Sequence, residues 1–100
     1  MNIKTESIHF AADQKLIDYI EKKVGKLEQF FDKIIDAKVN LSLENSGQVK
    51  DKIVEIRLNV PGDTLFISES SKTFEAAVDG GVAVMKRQLL KYKDSLRTRN

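Results

Sequence analysis

Apolar residues along this 100-residue chain switch between two spacings, and the switches mark the elements. The opening stretch, Asn2 to about Ile8, alternates Ile3, Thr5 and Ser7 against Lys4 and Glu6, a modest strand signal. Asp13 then stands where its carboxylate can accept the orphan amide protons of a helix N-terminus. From Asp13 to about Phe31 the apolar residues fall at Leu16, Ile20, Val24, Leu27 and Phe31, and gaps of three and four predict one helical face. Period two returns from Ile35 to Glu44, with Ala37, Val39, Leu41 and Leu43 on one side. The polar stretch ENSGQVKD reads as a loop. Alternation resumes from Lys52 to Val60, with Val54, Ile56, Leu58 and Val60 inward. Pro61-Gly62-Asp63 supplies turn chemistry, and Thr64 to Ser68 is expected as a short fourth strand. Ser70 or Ser71 can cap a last helix, from about Thr73 to about Leu96, buried along Phe74, Val78, Gly81, Met85, Leu89, Tyr92 and Leu96. Gly80-Gly81 inside it costs about 1 kcal/mol per glycine relative to alanine; close helix–sheet packing is the reading adopted, with a local distortion as its rival.

The predicted order is β-α-β-β-β-α. Strands that each expose one polar face imply an α+β fold: a four-stranded, mostly antiparallel sheet with two helices packed on one face. A chain of this length makes one domain, residues 1–100. No apolar run approaches the ~20 residues that cross a bilayer, and the N-terminus lacks the apolar core of a signal peptide. With no cysteine, thiol catalysis, thiolate metal sites and disulfides are excluded. These features point to a cytoplasmic protein without a membrane partner.

Charge changes the picture through its distribution. The net value is only +2, yet Lys86, Arg87, Lys91, Lys93, Arg97 and Arg99 face Asp94 alone in residues 86–100, a local +5 that leaves −3 for the rest. Cations near a helix C-terminus are favoured by the macrodipole, which accounts for two or three of these and not six. On the first helix, at roughly 100° per residue, the apolar stripe spans roughly 0–80° from Leu16 while Lys15, Lys22, Lys26 and Lys33 gather near roughly 240–280°. Asp18, Glu21 and Glu28 occupy a different flank. Lys22 and Lys26 stand at i,i+4 and repel, where interspersed signs would have stabilised the helix. A self-repelling lysine row fits an external anion. On the last helix Arg87 and Lys91 take one flank, and Lys86, Lys93 and Arg97 the other. If the helices lie side by side, one flank of each faces a shared outer groove able to grip RNA phosphates; Lys22, Lys26, Arg87 and Lys91 are the positions at which this is best probed.

Other chemistry finds no support. His9 is the sole histidine, so no metal set or acid–base pair can be built around it, and no P-loop, HExxH or GxGxxG occurs. No enzyme activity, cofactor or metal is expected. Tyr19 and Tyr92 fall near the apolar faces and read as core, and the strands carry no aromatic RNA-binding motif, so recognition by shape and backbone is expected.

The whole chain resembles the short ribosome hibernation promoting factors, also called ribosome-associated translation inhibitor A or ribosomal subunit interface proteins. The likeness is carried by DYIEKKVGKLEQFFDKI, VNLSLEN and AAVDGGVAVMKRQLLKYKDSL, the RQL-x-K-x-K ending most of all. It implies a fold like the double-stranded-RNA-binding domain, and docking on 16S rRNA of the small ribosomal subunit in the mRNA channel. There it implies competition with mRNA and with A- and P-site tRNA under stress or in stationary phase. By position it implies phosphate contacts from Lys22, Lys23, Lys26, Arg87, Gln88, Lys91 and Lys93; Lys86 and Arg97 are added on charge alone. The helical wheel favours Lys22 and Lys26 over Lys23, which lies nearer the apolar face. Many relatives carry Tyr before the AA(I/V)D segment, where this chain has Glu75 preceded by Phe74. Ending at Asn100, the chain is expected to lack the C-terminal dimerisation domain of long members and to be monomeric off the ribosome. Two alternatives stand beside this: a general structured-RNA binder, and a small protein-interaction domain.

Overall fold

A computed structural model describes residues 1–44 and 51–97. The elements are β1 (Asn2–Ser7), α1 (Gln14–Gly25), a single 3₁₀ turn (Lys26–Gln29), β2 (Asp36–Leu43), β3 (Lys52–Val60), β4 (Asp63–Ser71) and α2 (Phe74–Arg97). Most of the expected loop ENSGQVKD lies outside the described residues. The strands form one sheet in the order β1-β2-β3-β4. β1 runs parallel to β2, so it needs the α1 crossover to reach its neighbour, whereas β2–β3 and β3–β4 are antiparallel.

Register follows from the alternation. Val39 pairs with Ile56 and Ile56 with Ile67, so one row of apolar side chains crosses three strands on the helix-bearing face. Leu41 opposite Val54 and Ala37 opposite Leu58 extend it. Onto these α1 lays Ile20 and Val24, and α2 lays Val78, Met85 and Leu89, all fully buried. No polar or charged residue is buried among the described residues. The charged side chains of the described residues are therefore left at the surface.

Three boundaries differ from the sequence expectation, each for a local reason. The α-helical part of the first helix stops at Gly25, and the chain tightens into the 3₁₀ turn, closed by the Phe30 amide donating to the Leu27 carbonyl at 3.0 Å. Leu27 and Phe31 stay buried, so the apolar face survives the change of pitch. β4 is longer than expected. Its hydroxyl-rich end, where Ser70 or Ser71 is expected to cap the last helix, joins the ladder instead, with Ser70 opposite Ile53 and Ser71 opposite Lys52. With both serines taken into the strand, the cap of α2 falls to Thr73, whose hydroxyl accepts from the Ala76 amide at 3.1 Å. The cap of α1 is Asp13 as expected, its carboxylate accepting from the Leu16 amide at 2.8 Å. Between β3 and β4, Pro61 and Gly62 make a two-residue turn. Gly62 has φ 79°, the left-handed value that a proline-led turn demands of the residue after proline.

Of the Gly80-Gly81 pair, Gly81 proves to be the packing device. A Cβ on Gly81 would stand 2.8 Å from the Ile67 Cδ1 and 3.3 Å from that of Ile56, whereas one on Gly80 would meet only the Glu69 side chain, at 3.3 Å. The two glycines should therefore respond oppositely. Gly81→Val is expected to destabilise the protein by about 1–3 kcal/mol through overpacking. Gly80→Ala, where the glutamate can give way, should stabilise by roughly 0.5–1 kcal/mol through helix propensity. Urea denaturation of both variants measures the contrast.

Candidate nucleic-acid interface

α1 and α2 lie side by side on the sheet, and one polar linkage joins them near the middle. The Tyr19 hydroxyl donates to Asp79 Oδ1 at 2.6 Å. Lys23 Nζ sits 3.9 Å from the same oxygen and 5.5 Å from the centre of the Tyr19 ring. The hydrogen bond to Asp79 raises the Tyr19 phenol above its ordinary pKa of 10.0, with desolvation and the charges of Asp79 and Glu75 adding to the effect.

Next to this linkage the helices part around a groove of about 290 Å³, lined by Lys23, Lys26, Gln29 and Phe30 on one side and Asp79, Val82 and Ala83 on the other. Two cations of α2 reach across to its Phe30 wall. The Lys86 ammonium lies 4.5 Å from the centre of the Phe30 ring, and Lys93 Nζ donates to the Phe30 carbonyl at 3.2 Å. Lys86 thus gains a cation–π contact while its charge remains exposed.

The expected site residues divide by direction. Lys23, Lys26, Lys86 and Lys93 converge on the groove and its Phe30 wall. Lys22 and Arg87 are exposed, each one residue and about 100° around its helix from a groove residue. Gln88 and Lys91 point the other way. Gln88 donates to the Phe66 carbonyl of β4 at 3.3 Å, and with Lys91 it lines a separate recess beside Asp63, Leu65, Tyr92 and Ser95. Arg97 shares a recess with Leu90, Lys93 and Asp94 near the end of α2. The expectation that Arg87 and Lys91 would share a groove with Lys22 and Lys26 is therefore corrected. Seating Val78, Gly81, Met85 and Leu89 on the sheet turns the Lys86–Lys93 flank toward α1 and Lys91 toward β4.

Intramolecular acids leave most of these cations free. Among the described residues the ion pairs join the N-terminus to Glu28, Lys4 and Lys38 to Glu6, and Lys23 to Asp79. Of the candidate cations only Lys23 appears there. No group of three or more His, Asp or Glu residues able to hold a metal occurs among the described residues. Tyr92 does serve the interior as expected: it packs edge-on against Phe31, with ring centres 5.5 Å apart, and its hydroxyl donates to the Pro61 carbonyl. The residue that sequence reasoning missed is Phe30. Neighbouring Phe30 and Phe31 cannot both face the core from one helical stripe, and that conflict was the available signal.

A family model described as Sigma 54 modulation protein / S30EA ribosomal protein matches residues 3–97. The chain belongs to that family. Among curated relatives, the ribosome hibernation promoting factor of Klebsiella oxytoca is 36% identical over 80 residues, 80% of either chain. That of Escherichia coli K12 is 33% identical over 84 residues, 84% of either chain. A ribosome hibernation promotion factor of Deinococcus radiodurans is 35% identical over 77 residues; the match takes in 76% of this chain and only 40% of that longer relative. Of solved structures, the N-terminal domain of Thermus thermophilus Protein Y superposes with a TM-score of 0.81 at 29% identity, covering 92% of this chain and 99% of that one. A ribosomal subunit interface protein of Coxiella burnetii gives 0.84 at 23% identity, covering 94% and 99%, a likeness of fold.

Ionisation of Tyr19 at high pH should break its hydrogen bond to Asp79. The phenol's folded pKa lies above its unfolded value, so the linkage contributes stability in full below the unfolded pKa, and that contribution is lost as pH rises through the folded one. In a spectrophotometric titration of tyrosinate absorbance, Tyr19 should ionise later than a free tyrosine. Asp79→Ala should return it toward the ordinary value, and unchanged titration in that variant would disprove the linkage.

Proposed function

We propose that this protein is a ribosome-associated hibernation factor. Its helical face docks on small-subunit 16S rRNA in the mRNA channel and excludes mRNA and A- and P-site tRNA. The observation that carries this reading is the set of cations on and around the two helices, Lys22, Lys26, Lys86, Arg87, Lys91 and Lys93, with which no acid forms an ion pair among the described residues. Repulsion between such charges costs stability in the free protein and is relieved when phosphates neutralise them. The names of the curated relatives, ribosome hibernation promoting factors, point to the ribosome as the partner. No chemical step is required: phosphate contacts supply affinity, and the bulk of the domain supplies inhibition. The protein would then act in the cytoplasm, as a single ribosome-binding domain. Among the described residues no helix is long and apolar enough to cross a membrane.

Sedimentation with purified small subunits across a salt series, with and without P-site tRNA, tests this reading. Binding is expected to fall log-linearly with salt, with a slope of about −0.7 to −0.9 per phosphate contact, and to yield to tRNA. The variant Lys22→Glu/Lys26→Glu/Arg87→Glu alters exposed side chains with no ion-pair partner among the described residues. It should lose binding while keeping the wild-type thermal transition. Retained affinity in the folded variant would overturn the reading. Equal affinity for free duplex RNA without tRNA competition would replace it with general RNA binding, and salt-insensitive association with a protein alone would replace it with a protein-interaction role.

A further inference from the structure

The groove between α1 and α2 is built differently from a surface that only counts phosphates. Phe30, Val82 and Ala83 give it apolar walls, Lys23, Lys26 and Lys86 stand around it, and one carboxylate, Asp79, stands among those cations. We propose that this groove is a nucleotide subsite. It takes one unstacked cytosine, or another base with an amino edge, from single-stranded RNA, with the base against Phe30 and the flanking phosphates on Lys23, Lys26 and Lys86. The inference rests on the reading of the helical face as an RNA surface and adds what that surface selects.

Three features lead there. The first is size: about 290 Å³ is near the lower end of the range for small-molecule pockets, about 300 Å³ upward, and suits one nucleotide rather than a helix. The second is the aromatic ring. A base can lie against a protein ring only when it has left its own stack, so this wall has a use for loops, bulges and single strands and none for a continuous duplex. Lys86 covers the Phe30 ring in the free protein, and its flexible stem lets the ammonium move to a phosphate as the base arrives.

Asp79 is the third. A carboxylate among lysines weakens phosphate binding, so a groove for phosphates alone would do better without its charge. Both of its contacts, with Tyr19 and with Lys23, are made by Oδ1, and Oδ2 accepts nothing among the described residues. The tyrosine hydroxyl thus holds the carboxylate in place while one oxygen stays open. A carboxylate oxygen accepts from the N4 amino group of cytosine and repels the O4 carbonyl that uracil carries at the same position.

Fluorescence anisotropy of the full chain with end-labelled oligo(C) and oligo(U) RNA decamers, at one salt concentration, tests the proposal. Oligo(C) is expected to bind about tenfold more tightly. Asp79→Asn keeps an acceptor for Tyr19 but can also donate, and should reduce the preference to about twofold or less. Phe30→Leu should weaken both decamers by about tenfold, and Phe30→Tyr should keep wild-type affinity. Equal binding of the two decamers by the wild type would overturn the subsite. So would a preference that survives Asp79→Asn, or a folded Phe30→Leu variant with unchanged affinity. Should Phe30→Leu not unfold cooperatively, amide NMR shifts of the wild-type protein on adding oligo(C) replace that arm; shifts concentrated at Lys23–Phe30 and Asp79–Lys86 support the subsite, and shifts elsewhere overturn it. A protein that sediments with small subunits yet shows no oligo(C) preference loses the subsite and keeps the ribosomal reading. One that prefers oligo(C) and ignores subunits keeps the subsite and loses the ribosomal reading.

Discussion

The close seating of α2 on the sheet at Gly81 governs the rest of this structure. With no side chain there, the helix comes near enough for Ile67 and Ile56 to fill the space a Cβ would need. That contact, together with Val78, Met85 and Leu89, fixes the rotation of α2 about its own axis. Rotation in turn decides which cations face α1. Lys86 and Lys93 are turned toward Phe30, Gln88 and Lys91 toward β4, and Arg87 outward. A helix turned by one residue, about 100°, would present a different set of charges from the same sequence.

Because the interior among the described residues holds no charge, electrostatics act at the surface, where single pairs contribute little to stability. The arrangement therefore costs the fold little, and it leaves selection free to place like charges together. Lys22 on α1 and Lys26 at the start of the 3₁₀ turn repel, and Lys86 and Lys93 reach the same residue from α2. The Tyr19–Asp79 hydrogen bond joins the helices without using a cation, and among the described residues Lys23 is the only groove lysine with an ion-pair partner. A surface so organised serves an external anion better than it serves the isolated protein.

Most of the fold could be read from periodicity, because the apolar residues keep one face in each element. Asp13 as cap, the inward rows of β2 and β3 and the purpose of Gly81 all emerged from spacing and residue type. What spacing could not show was the outcome of competition between elements. Ser70 and Ser71 have the chemistry of caps, yet the ladder with β3 took them and left that task to Thr73. Phe30 lies beside the core residue Phe31 and has no place on the apolar stripe; the 3₁₀ turn before it puts it on the groove. A helical wheel gives relative angles within one helix. It cannot say which flank meets the neighbour, since the sheet sets that, and so Lys91 was grouped with the groove although it faces β4, while Arg87 points outward.

The same division bears on how firmly each cation can hold a phosphate. Immobilising a rotamer-rich side chain on binding costs roughly 0.5–1.5 kcal/mol. Lys22, Lys26 and Arg87 make no ion pair among the described residues, so each bears that cost in full when it engages. Lys86 gives up the Phe30 ring when a base takes its place, but Lys23 already rests on Tyr19 and Lys93 on the Phe30 carbonyl, so the stems of these two are partly ordered before any partner arrives. Their contacts with RNA carry a smaller entropic cost and a narrower choice of geometry. The outward cations suit long-range attraction, which tolerates imprecision, and the pre-ordered ones suit fixing the register of the complex. The aromatic residues beneath those lysines therefore belong to the interface as much as the charges do, which is why the face cannot be understood by counting positive residues alone.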